Sequence, residues 1–360
     1  MNEISPSRTP LGASDFNVFL TGATGMIGSH LLLALLEKGY AVKALYRHES
    51  SLEKPLRLMR LYGKEHLGDQ VQWIRGNMNE PEEWEDELNN VDAVIHAAAK
   101  VSFLATDRKE MMQTNFKGTA ALVNALLDHP GIYLLHISSI AALGGTGKNI
   151  NEKAIWTPSA AHSYYAMSKY LAEMEVWRGM QEGLQAGIIN PSVVVGPPAD
   201  GCRWQSGFGK IIRDMDKGKI RYTFPGTTGY VAVEDVVDIS LRMLEEKIAG
   251  ERFIVSAGNT DFQTVLGWIA EALGTKPPQK TISQKILKTG LLAARWWHRI
   301  TRTGKAYDPA VLNALYDTDT YDNSKAKERF NFTFRPLRQR IHQTVADYRK
   351  ATALSERSNR

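Results

Sequence analysis

A glycine-rich segment near the start of the chain constrains the fold more than any other feature. Its sequence, TGATGMIG, places Gly22, Gly25 and Gly28 after the apolar run FNVFL and before a stretch with helical periodicity. Between a strand and a helix, such glycines allow a tight turn, close approach of a phosphate to the backbone, and close packing of the helix on the strand. The N–H groups and partial positive charge of the helix N-terminus then face the phosphates. The segment predicts a dinucleotide-binding loop.

Strands and helices alternate through the rest of the first half of the chain. Short apolar runs predict strands at 16–20, 41–46, 71–74, 92–96, 132–137 and 187–190, and helical periodicity predicts helices at 26–38, 80–88, 109–127 and 163–183. This alternation requires right-handed crossovers, which produce a parallel sheet with helices on both faces. We therefore predict an α/β fold with a Rossmann-type doubly wound parallel sheet.

The length of 360 residues exceeds what one compact core usually holds, so we expect a second lobe. After Pro191 the alternation gives way to short elements rich in Gly and Pro. We predict a flexible leader at 1–15, a nucleotide-binding domain at 16–190, and a tail at 353–360. Between them, residues 191–352 would form a smaller C-terminal substrate-binding lobe with some return to the first domain.

Composition argues against several classes of function. The chain has 44 basic and 39 acidic residues and a net charge of +5, which provides no general basic surface, so no nucleic-acid partner is expected. The single cysteine, Cys202, excludes an internal disulfide framework and a multi-cysteine metal site. Residues 1–15 lack the basic start and apolar core of a signal peptide. We expect a cytoplasmic protein without a metal.

The residues after the second predicted strand indicate which dinucleotide is bound. NAD-binding units normally carry an acidic residue there, about 20 residues beyond the loop, to bond the ribose 2′-hydroxyl. This chain has Arg47 instead, and a guanidinium suits a 2′-phosphate. NADP(H) is therefore favoured and NAD(H) remains the alternative, in which Arg47 is a solvated surface residue and Glu49 discriminates.

The segment SYYAMSK predicts a catalytic pair. Tyr165 and Lys169 are four residues apart, so a helix places both side chains on one face. A nearby ammonium favours phenolate, so we expect Lys169 to lower the pKa of Tyr165. Tyr164 is the competing phenol, but its offset of five residues turns it away from Lys169. Upstream, Ser138 and Ser139 follow the fifth predicted strand, at the sheet edge that carries ligands.

With the loop spacing G-x-x-G-x-x-G, these motifs resemble the extended short-chain dehydrogenase/reductase family. The resemblance implies that Ser139, five residues before Gly144, orients a substrate oxygen. It further implies that Tyr165 is the general acid or base and that Lys169 tunes the tyrosine and holds the ribose. Asn115, in TNFKGT, would assist a water-linked proton relay, although an isolated asparagine also serves as a helix-kink or capping residue.

The resemblance also implies a set of cofactor contacts. These are Gly22, Thr24, Gly25, Met26, Ile27, Gly28, Arg47, Asn77, Met78, Ala97, Ala98, Ala99, Tyr165, Lys169, Pro191, Ser192 and Val193. One departure is Asn77, which stands where relatives usually carry an aspartate that bonds the adenine. His96, just before the three alanines, is interpreted as a packed strand residue and not as a catalyst.

Three positions bear on the branch of the family. Ile140 and Ala141 replace the Asp-Glu pair of sugar-nucleotide dehydratases, and Leu143 replaces a tyrosine common in epimerases. The chain looks more like the dihydroflavonol-reductase and hydroxysteroid-dehydrogenase branch. This implies hydride transfer between the nicotinamide and a carbonyl or secondary alcohol of a bulky apolar small molecule. The alternatives are an NDP-sugar epimerase with tightly bound NAD and a non-catalytic NAD(P)-binding sensor or scaffold; homodimer formation through the long helices stays open.

A basic stretch follows in the second lobe. Between Lys280 and Tyr307 there are seven Lys or Arg residues and no Asp or Glu, interleaved with leucine, isoleucine and tryptophan. This composition is typical of an amphipathic helix that lies on an anionic membrane surface. The alternative is a lid helix or a helix of the substrate-binding lobe, with its apolar side packed on the protein. Residues 280–307 are therefore a candidate for peripheral membrane contact.

We expect NADPH to raise the thermal unfolding midpoint more than NADH at equal concentration, because binding to the native state stabilises it by an amount set by affinity. Titration of the purified protein with both cofactors, followed by thermal unfolding, measures this preference. Preference for NADH, or no shift with either, would contradict the assignment of Arg47 as the 2′-phosphate ligand.

Overall fold

The computed structural model describes residues 16–159, 162–200, 203–301 and 306–358. The leader predicted at 1–15 and Cys202 lie outside these residues. The strands are β1 (Asn17–Thr21), β2 (Ala41–Tyr46), β3 (Val71–Arg75), β4 (Ala93–His96), β5 (Tyr133–Ile137), β6 (Ala186–Pro191), β7 (Val193–Val195), β8 (Tyr222–Thr223), β9 (Thr227–Ala232), β10 (Arg252–Val255), β11 (Gly258–Asp261) and β12 (Lys280–Thr281). The α-helices are α1 (Met26–Glu37), α2 (Glu53–Tyr62), α3 (Arg108–Met111), α4 (Gly118–Leu127), α5 (Tyr164–Gln181), α6 (Gly207–Asp216), α7 (Val233–Glu246), α8 (Phe262–Leu273), α9 (Gln284–Thr301), α10 (Val311–Ala314), α11 (Ser324–Phe330) and α12 (Leu337–Ser358).

In the described part of the chain, seven strands form a sheet in the order β10-β6-β5-β4-β1-β2-β3, and every neighbouring pair is parallel. The strand order reverses beside β1, which lies between β2 and β4. In open sheets of this kind, ligands bind beyond the carboxyl ends of the strands at such a reversal. The predicted doubly wound fold is confirmed, and the glycine loop that follows β1 lies at this point.

Two apolar layers sandwich the sheet. One is built from α1, α7 and the side chains of β1, β2 and β10 that face them, including Leu32 and Phe253. The other is built from α4, α5 and the opposite strand faces, including Val123 and Val176. Because both faces are covered, the inner strands β1, β4 and β5 are nearly continuous apolar runs, which is why they are visible in the sequence.

The sequence reading fails around two helices. Helix α2 was not predicted, and the helix predicted at 80–88 is instead two 3₁₀ turns, Pro81–Glu83 and Glu85–Leu88. Trp84 interrupts this segment with a φ of −147°. Its indole is buried and donates a hydrogen bond to the Asn77 carbonyl, 3.0 Å away. Burial of one large side chain therefore overrides the local helical pattern.

The C-terminal lobe has its own core. A three-stranded sheet, β11-β9-β7, lies beside a cluster formed by α6, α8 and α12, which includes Trp204, Ile269 and Val345. Strand β10 leaves this lobe and joins the main sheet beside β6. Helix α12 extends into the predicted tail at 353–360 as far as Ser358, and Leu354 packs against this cluster. The predicted domain boundaries stay predictions.

We predict that Gly187→Ala destabilises the protein by at least about 2 kcal/mol, because an overpacked core must shift backbone or side chains. A Cβ at Gly187 on β6 would lie 2.4 Å from the Ile248 carbonyl oxygen and 2.6 Å from the Tyr133 hydroxyl. Those two groups share a 2.7 Å hydrogen bond. Urea unfolding monitored by circular dichroism measures the change.

The matched control is Gly267→Ala, inside α8. A Cβ there meets no atom within 4 Å. Alanine is the better helix former, so this variant should gain about 0.5–1 kcal/mol. Equal effects of the two substitutions would contradict the packing argument.

Candidate active site and cofactor cradle

The glycine loop folds so tightly that side chains have no room. Gly22 has a φ of +74°, and a Cβ there would lie 2.5 Å from the carbonyl carbon of Ala97. A Cβ on Gly28 would lie 2.0 Å from the Gly22 carbonyl oxygen. The predicted cofactor contacts that follow β1 and β4 are thus side by side. A backbone cradle at a helix N-terminus, closed to side chains, fits the pyrophosphate of a dinucleotide.

The remaining loop residues face outward around this cradle. Gly25 is exposed, and Thr24, Met26 and Ile27 are half-buried. The Gly25 N–H donates to the Gly22 carbonyl oxygen at 2.8 Å, which fixes the turn from which α1 begins. Helix α1 carries no acidic residue in its first turn, so nothing there repels an anion.

Arg47 follows β2, at the same edge of the sheet. Its side chain is exposed, and its Nε hydrogen-bonds with His48 Nε2 at 2.9 Å. The guanidinium therefore lies in reach of solvent next to the strand that pairs with β1. Glu49, the alternative discriminating residue, starts a short 3₁₀ turn and is also exposed. The role of Arg47 stays a prediction.

The turn after β3 holds Asn77 by several hydrogen bonds. Its Oδ1 accepts from the backbone and side-chain nitrogens of Asn79, each at 3.2 Å, and its Nδ2 donates to Glu80 at 3.0 Å. Met78 is buried beneath. Because these bonds lie within the turn, the Asn77 side chain must rearrange to reach an adenine, and its predicted contact stays untested.

Tyr165 and Ser139 are neighbours at the start of α5. Ser163 caps the N-terminus of α5, its Oγ accepting from the Ala166 N–H at 3.1 Å, so the helix begins one residue before Tyr165. The two side chains are close enough for the Ser139 hydroxyl to lower the pKa of the Tyr165 phenol. Ser139 Oγ also accepts from the Ala141 N–H at 3.1 Å, at the start of a 3₁₀ turn. The hydroxyl pair lies where β5 ends, at the ligand-bearing edge of the sheet.

Lys169 is buried one turn further along α5. Its Nζ donates to the Ile137 carbonyl oxygen at 2.9 Å, and its side chain is only 2% exposed. Burial lowers the pKa of Lys169 to about 8, and the Glu173 carboxylate partly offsets this by raising it. The spacing argument thus places the lysine on the same side of the helix as Tyr165, but with its ammonium on a backbone carbonyl.

The expected lowering of the Tyr165 pKa is wrong for this structure. Burial raises the pKa of Tyr165, and the nearby Ser139 hydroxyl lowers it by less. Desolvation penalises the phenolate, and the ammonium of Lys169 is directed at Ile137. At neutral pH the hydroxyl is therefore protonated and able to donate.

Ser138 has a different role from Ser139. It is buried and donates to the Glu173 carboxylate at 2.7 Å. Glu173, 1% exposed, also accepts from Asn190 Nδ2 at 2.8 Å and from Arg252 at 2.7 Å. One carboxylate thus connects β5, α5, β6 and β10. The sequence reading missed this residue, although a glutamate four positions after Lys169 was visible on the same helix face.

Asn115 lies in a π-helical turn, Met112–Lys117, that joins α3 to α4. Turns of this kind occur frequently at functional sites. Its Nδ2 donates to Ser168 Oγ at 2.9 Å and to the Lys100 carbonyl at 3.0 Å, and its Oδ1 accepts from the Lys100 N–H at 2.7 Å. Asn115 therefore fixes the loop after β4 to the catalytic helix, and its part in a proton relay stays a prediction.

His96 is buried in the sheet. Its two ring nitrogens hydrogen-bond with Thr21 at 2.7 Å and with Thr119 at 2.9 Å. Burial, aided by the charge of Lys169, lowers the pKa of His96 to about 3. The ring is therefore neutral and fully bonded, as interpreted from the sequence.

The last predicted cofactor contacts, Pro191, Ser192 and Val193, lie at the end of β6 and the start of β7. Pro191 ends β6, and the Ser192 N–H donates to the Val255 carbonyl at 3.0 Å. Ser192 is buried, whereas Val193 is 37% exposed. Val193 thus offers an apolar surface just after the end of β6, the strand that pairs with β5.

Asp308 is a second residue that sequence reasoning missed. It is buried, and its carboxylate accepts the backbone N–H of Tyr164 at 2.7 Å. The Tyr164 ring itself lies against Arg108, 4.8 Å from the guanidinium carbon. The second lobe therefore caps the helix that carries Tyr165. The only local signal was an Asp-Pro turn.

The profile of the NAD dependent epimerase/dehydratase family matches residues 18–256, which is more than half of the chain. The chain belongs to this family. The resemblance read from the motifs is confirmed.

Curated relatives include reductases. The chain is 29% identical over 275 residues to "Sterol demethylase protein B" of Methylococcus capsulatus, covering 75% of this chain and 78% of that one. It is 29% identical over 275 residues to a "Putative dihydroflavonol 4-reductase" of Synechocystis sp., covering 73% and 74%. The crystal structure of UDP-glucuronic acid 4-epimerase from Bacillus cereus in complex with NAD matches with a TM-score of 0.71 and 18% identity, covering 92% and 96%, and shows the shared fold.

We predict that Glu173→Gln lowers the free energy of unfolding by about 3 kcal/mol, because it leaves a buried cation without its counter-charge. It should also lower the pKa of Lys169 further, since the carboxylate raises it. Guanidinium unfolding measures the stability.

The control is Glu182→Gln, at the end of α5, where Glu182 pairs with Arg178 on the surface at 2.7 Å. An exposed pair contributes less than about 1 kcal/mol. Equal losses of unfolding free energy in the two variants would show that the buried Glu173 hydrogen bonds do not stabilise the fold more than a surface ion pair does.

Proposed function

We propose that the protein is an NADP(H)-dependent oxidoreductase that transfers hydride between the nicotinamide and a carbonyl or secondary alcohol of a bulky apolar molecule. The observation that carries this is the closeness of the Tyr165 and Ser139 side chains at the edge of the sheet, beside the glycine cradle. A phenol and a hydroxyl that converge there can hold one substrate oxygen. When bound, the cofactor supplies or accepts the hydride.

The protonation states support the direction of carbonyl reduction. Because burial raises the pKa of Tyr165, its hydroxyl carries a proton at neutral pH and can donate it to a carbonyl oxygen that gains negative charge. Ser139 orients that oxygen by a second hydrogen bond. Lys169, held by the Ile137 carbonyl, supplies positive charge close to the helix turn of Tyr165 and is the residue proposed to hold the ribose.

Exposed apolar side chains support a bulky apolar substrate. Val193 is exposed beside the sheet edge, and Val101 and Phe103, in the loop after β4, are 59% and 53% exposed. Reduction of an apolar ketone gains from burial of such surfaces against the substrate. The named relatives fit this class, since one is a sterol demethylase protein and the other a putative dihydroflavonol reductase.

The solved epimerase with this fold makes sugar epimerisation the second candidate reaction. An NDP-sugar epimerase would oxidise and re-reduce its substrate on a tightly bound NAD. Leu143 stands where a tyrosine is common in such enzymes, and Arg47 favours the other cofactor. We therefore rank the reductase first, ahead of the epimerase and of a non-catalytic sensor.

We predict that Tyr165→Phe lowers carbonyl reduction by at least about 100-fold while leaving NADPH-induced thermal stabilisation in place, because it removes the proton donor and keeps the ring. The assay follows NADPH oxidation across steroidal, flavonoid and aryl ketones.

Tyr164→Phe is the matched control and should retain turnover, since the backbone of Tyr164, not its hydroxyl, is bonded to Asp308. Loss of activity in Tyr164→Phe with retention in Tyr165→Phe would reverse the assignment. Binding of NADPH without turnover of any carbonyl would favour the sensor, and NAD-dependent turnover of NDP-sugars would favour the epimerase.

A further inference from the structure

Exposed apolar side chains concentrate in a few segments. Among the described residues, the large hydrophobic side chains with high exposure are Val101, Phe103, Ile155, Val193, Tyr222, Ile286, Leu292 and Tyr307. Val193 borders the proposed cofactor site. Val101 and Phe103 lie on the loop after β4, and Ile286, Leu292 and Tyr307 lie within 280–307. Tyr222 lies on β8, which pairs with β12 at the start of that stretch. Such clustering marks a surface that another phase or molecule covers.

The loop after β4 joins this surface through Tyr307. Leu104 and Tyr307 form an antiparallel bridge, and the Asp308 N–H donates to the Phe103 carbonyl at 2.8 Å. Phe103 and Tyr307 are therefore neighbours, and Asp308 beside them caps the catalytic helix. The exposed pair lies close to the proposed active site.

The start of α9 joins the same surface from the other side. Tyr222 on β8 pairs with Lys280 on β12, four residues before α9 begins. The Tyr316 hydroxyl donates to the Ile282 carbonyl at 2.8 Å, and α10 lies against α9. The segment that follows Tyr307 thus runs from the loop after β4 to the beginning of α9.

The described part of α9 has two distinct sides. Leu287 and Leu291, four residues apart and so on one face, are half-buried. Ile286 is 69% and Leu292 is 67% exposed. The neighbouring basic side chains, Lys285 and Lys288, are exposed too. One side of the helix therefore packs on the protein, while the rest offers apolar and basic groups to the surroundings.

The charge of this stretch selects the partner. Seven basic residues and no acidic residue lie between Lys280 and Tyr307, whereas the whole chain is nearly balanced. Exposed isoleucine and leucine next to lysine match the boundary between acyl chains and anionic headgroups. Among the residues that the structure describes, no helix is long and apolar enough to cross a bilayer.

We infer that α9, together with the exposed residues around Phe103 and Tyr307, docks the protein on an anionic lipid bilayer. The helix lies in the plane of the interface with its exposed side toward the lipid. Leu292, on one face with Lys285 and Lys288, and Ile286 on the neighbouring face contact the acyl chains, while the lysine side chains extend to the headgroups. The inference concerns binding alone and does not depend on which reaction the site catalyses.

Co-sedimentation of the full chain with vesicles tests this. We expect binding to vesicles of phosphatidylcholine with phosphatidylglycerol at low salt, and much weaker binding to phosphatidylcholine alone or at high salt. Lys285→Glu with Lys288→Glu should weaken binding by at least about tenfold, because each basic residue near the surface contributes about a factor of five. Ile286→Ser with Leu292→Ser should weaken it by about tenfold through lost apolar burial.

The matched control is Lys54→Glu with Lys327→Glu, which makes the same change in net charge at two exposed lysines on α2 and α11. Binding by this variant should change by less than about twofold, as its charges are not at the docking surface. Thermal unfolding of each variant establishes that it is folded. The inference is overturned by absence of binding to anionic vesicles, by equal losses in the two charge variants, or by no loss in the Ile286 and Leu292 variant. NADPH stabilisation, measured in parallel, reports on the proposed function separately.

Discussion

The buried carboxylate of Glu173 is the interaction on which the arrangement of the site depends. It receives hydrogen bonds from Ser138, Asn190 and Arg252, and these come from three adjacent parallel strands, β5, β6 and β10. Removing a charge of this kind from water is costly unless every partner is present. The helix that carries Tyr165 can therefore adopt one position relative to the strand edge, and that position brings its hydroxyl to Ser139.

Local geometry explains what the sequence could reveal. Some features depend only on residues close together in the sequence: the glycine loop, the apolar strands and the Tyr165–Lys169 spacing. Periodicity and turn chemistry are therefore enough to predict them. The bonds from Glu173 to Arg252 and from Asp308 to Tyr164 join residues 79 and 144 positions apart. No pattern along the chain encodes such pairs. The burial of Trp84, which breaks a predicted helix, likewise arises from tertiary packing.

The pKa of Tyr165 also depends on contacts that the sequence does not show. A lysine one turn from a tyrosine predicts a more acidic phenol, because only the nearby charge is visible in the sequence. In the fold, the ammonium is directed at the end of β5 and the phenol is desolvated, so the pKa of Tyr165 moves upward. The two serines differ for a related reason. Ser138 faces the buried carboxylate and Ser139 faces the tyrosine, although they are adjacent and chemically identical.

The hydrogen bond from the Tyr164 N–H to the Asp308 carboxylate joins two parts of the molecule that are far apart in the sequence. If the C-terminal part of the chain were replaced by that of a relative, the replacement would bring its own residue to that place, and without an acceptor there the first turn of α5 would lose its bond at Tyr164. The C-terminal part is therefore not freely exchangeable. Chimaeras exchanged at the lobe boundary need the aspartate to travel with the helix it caps.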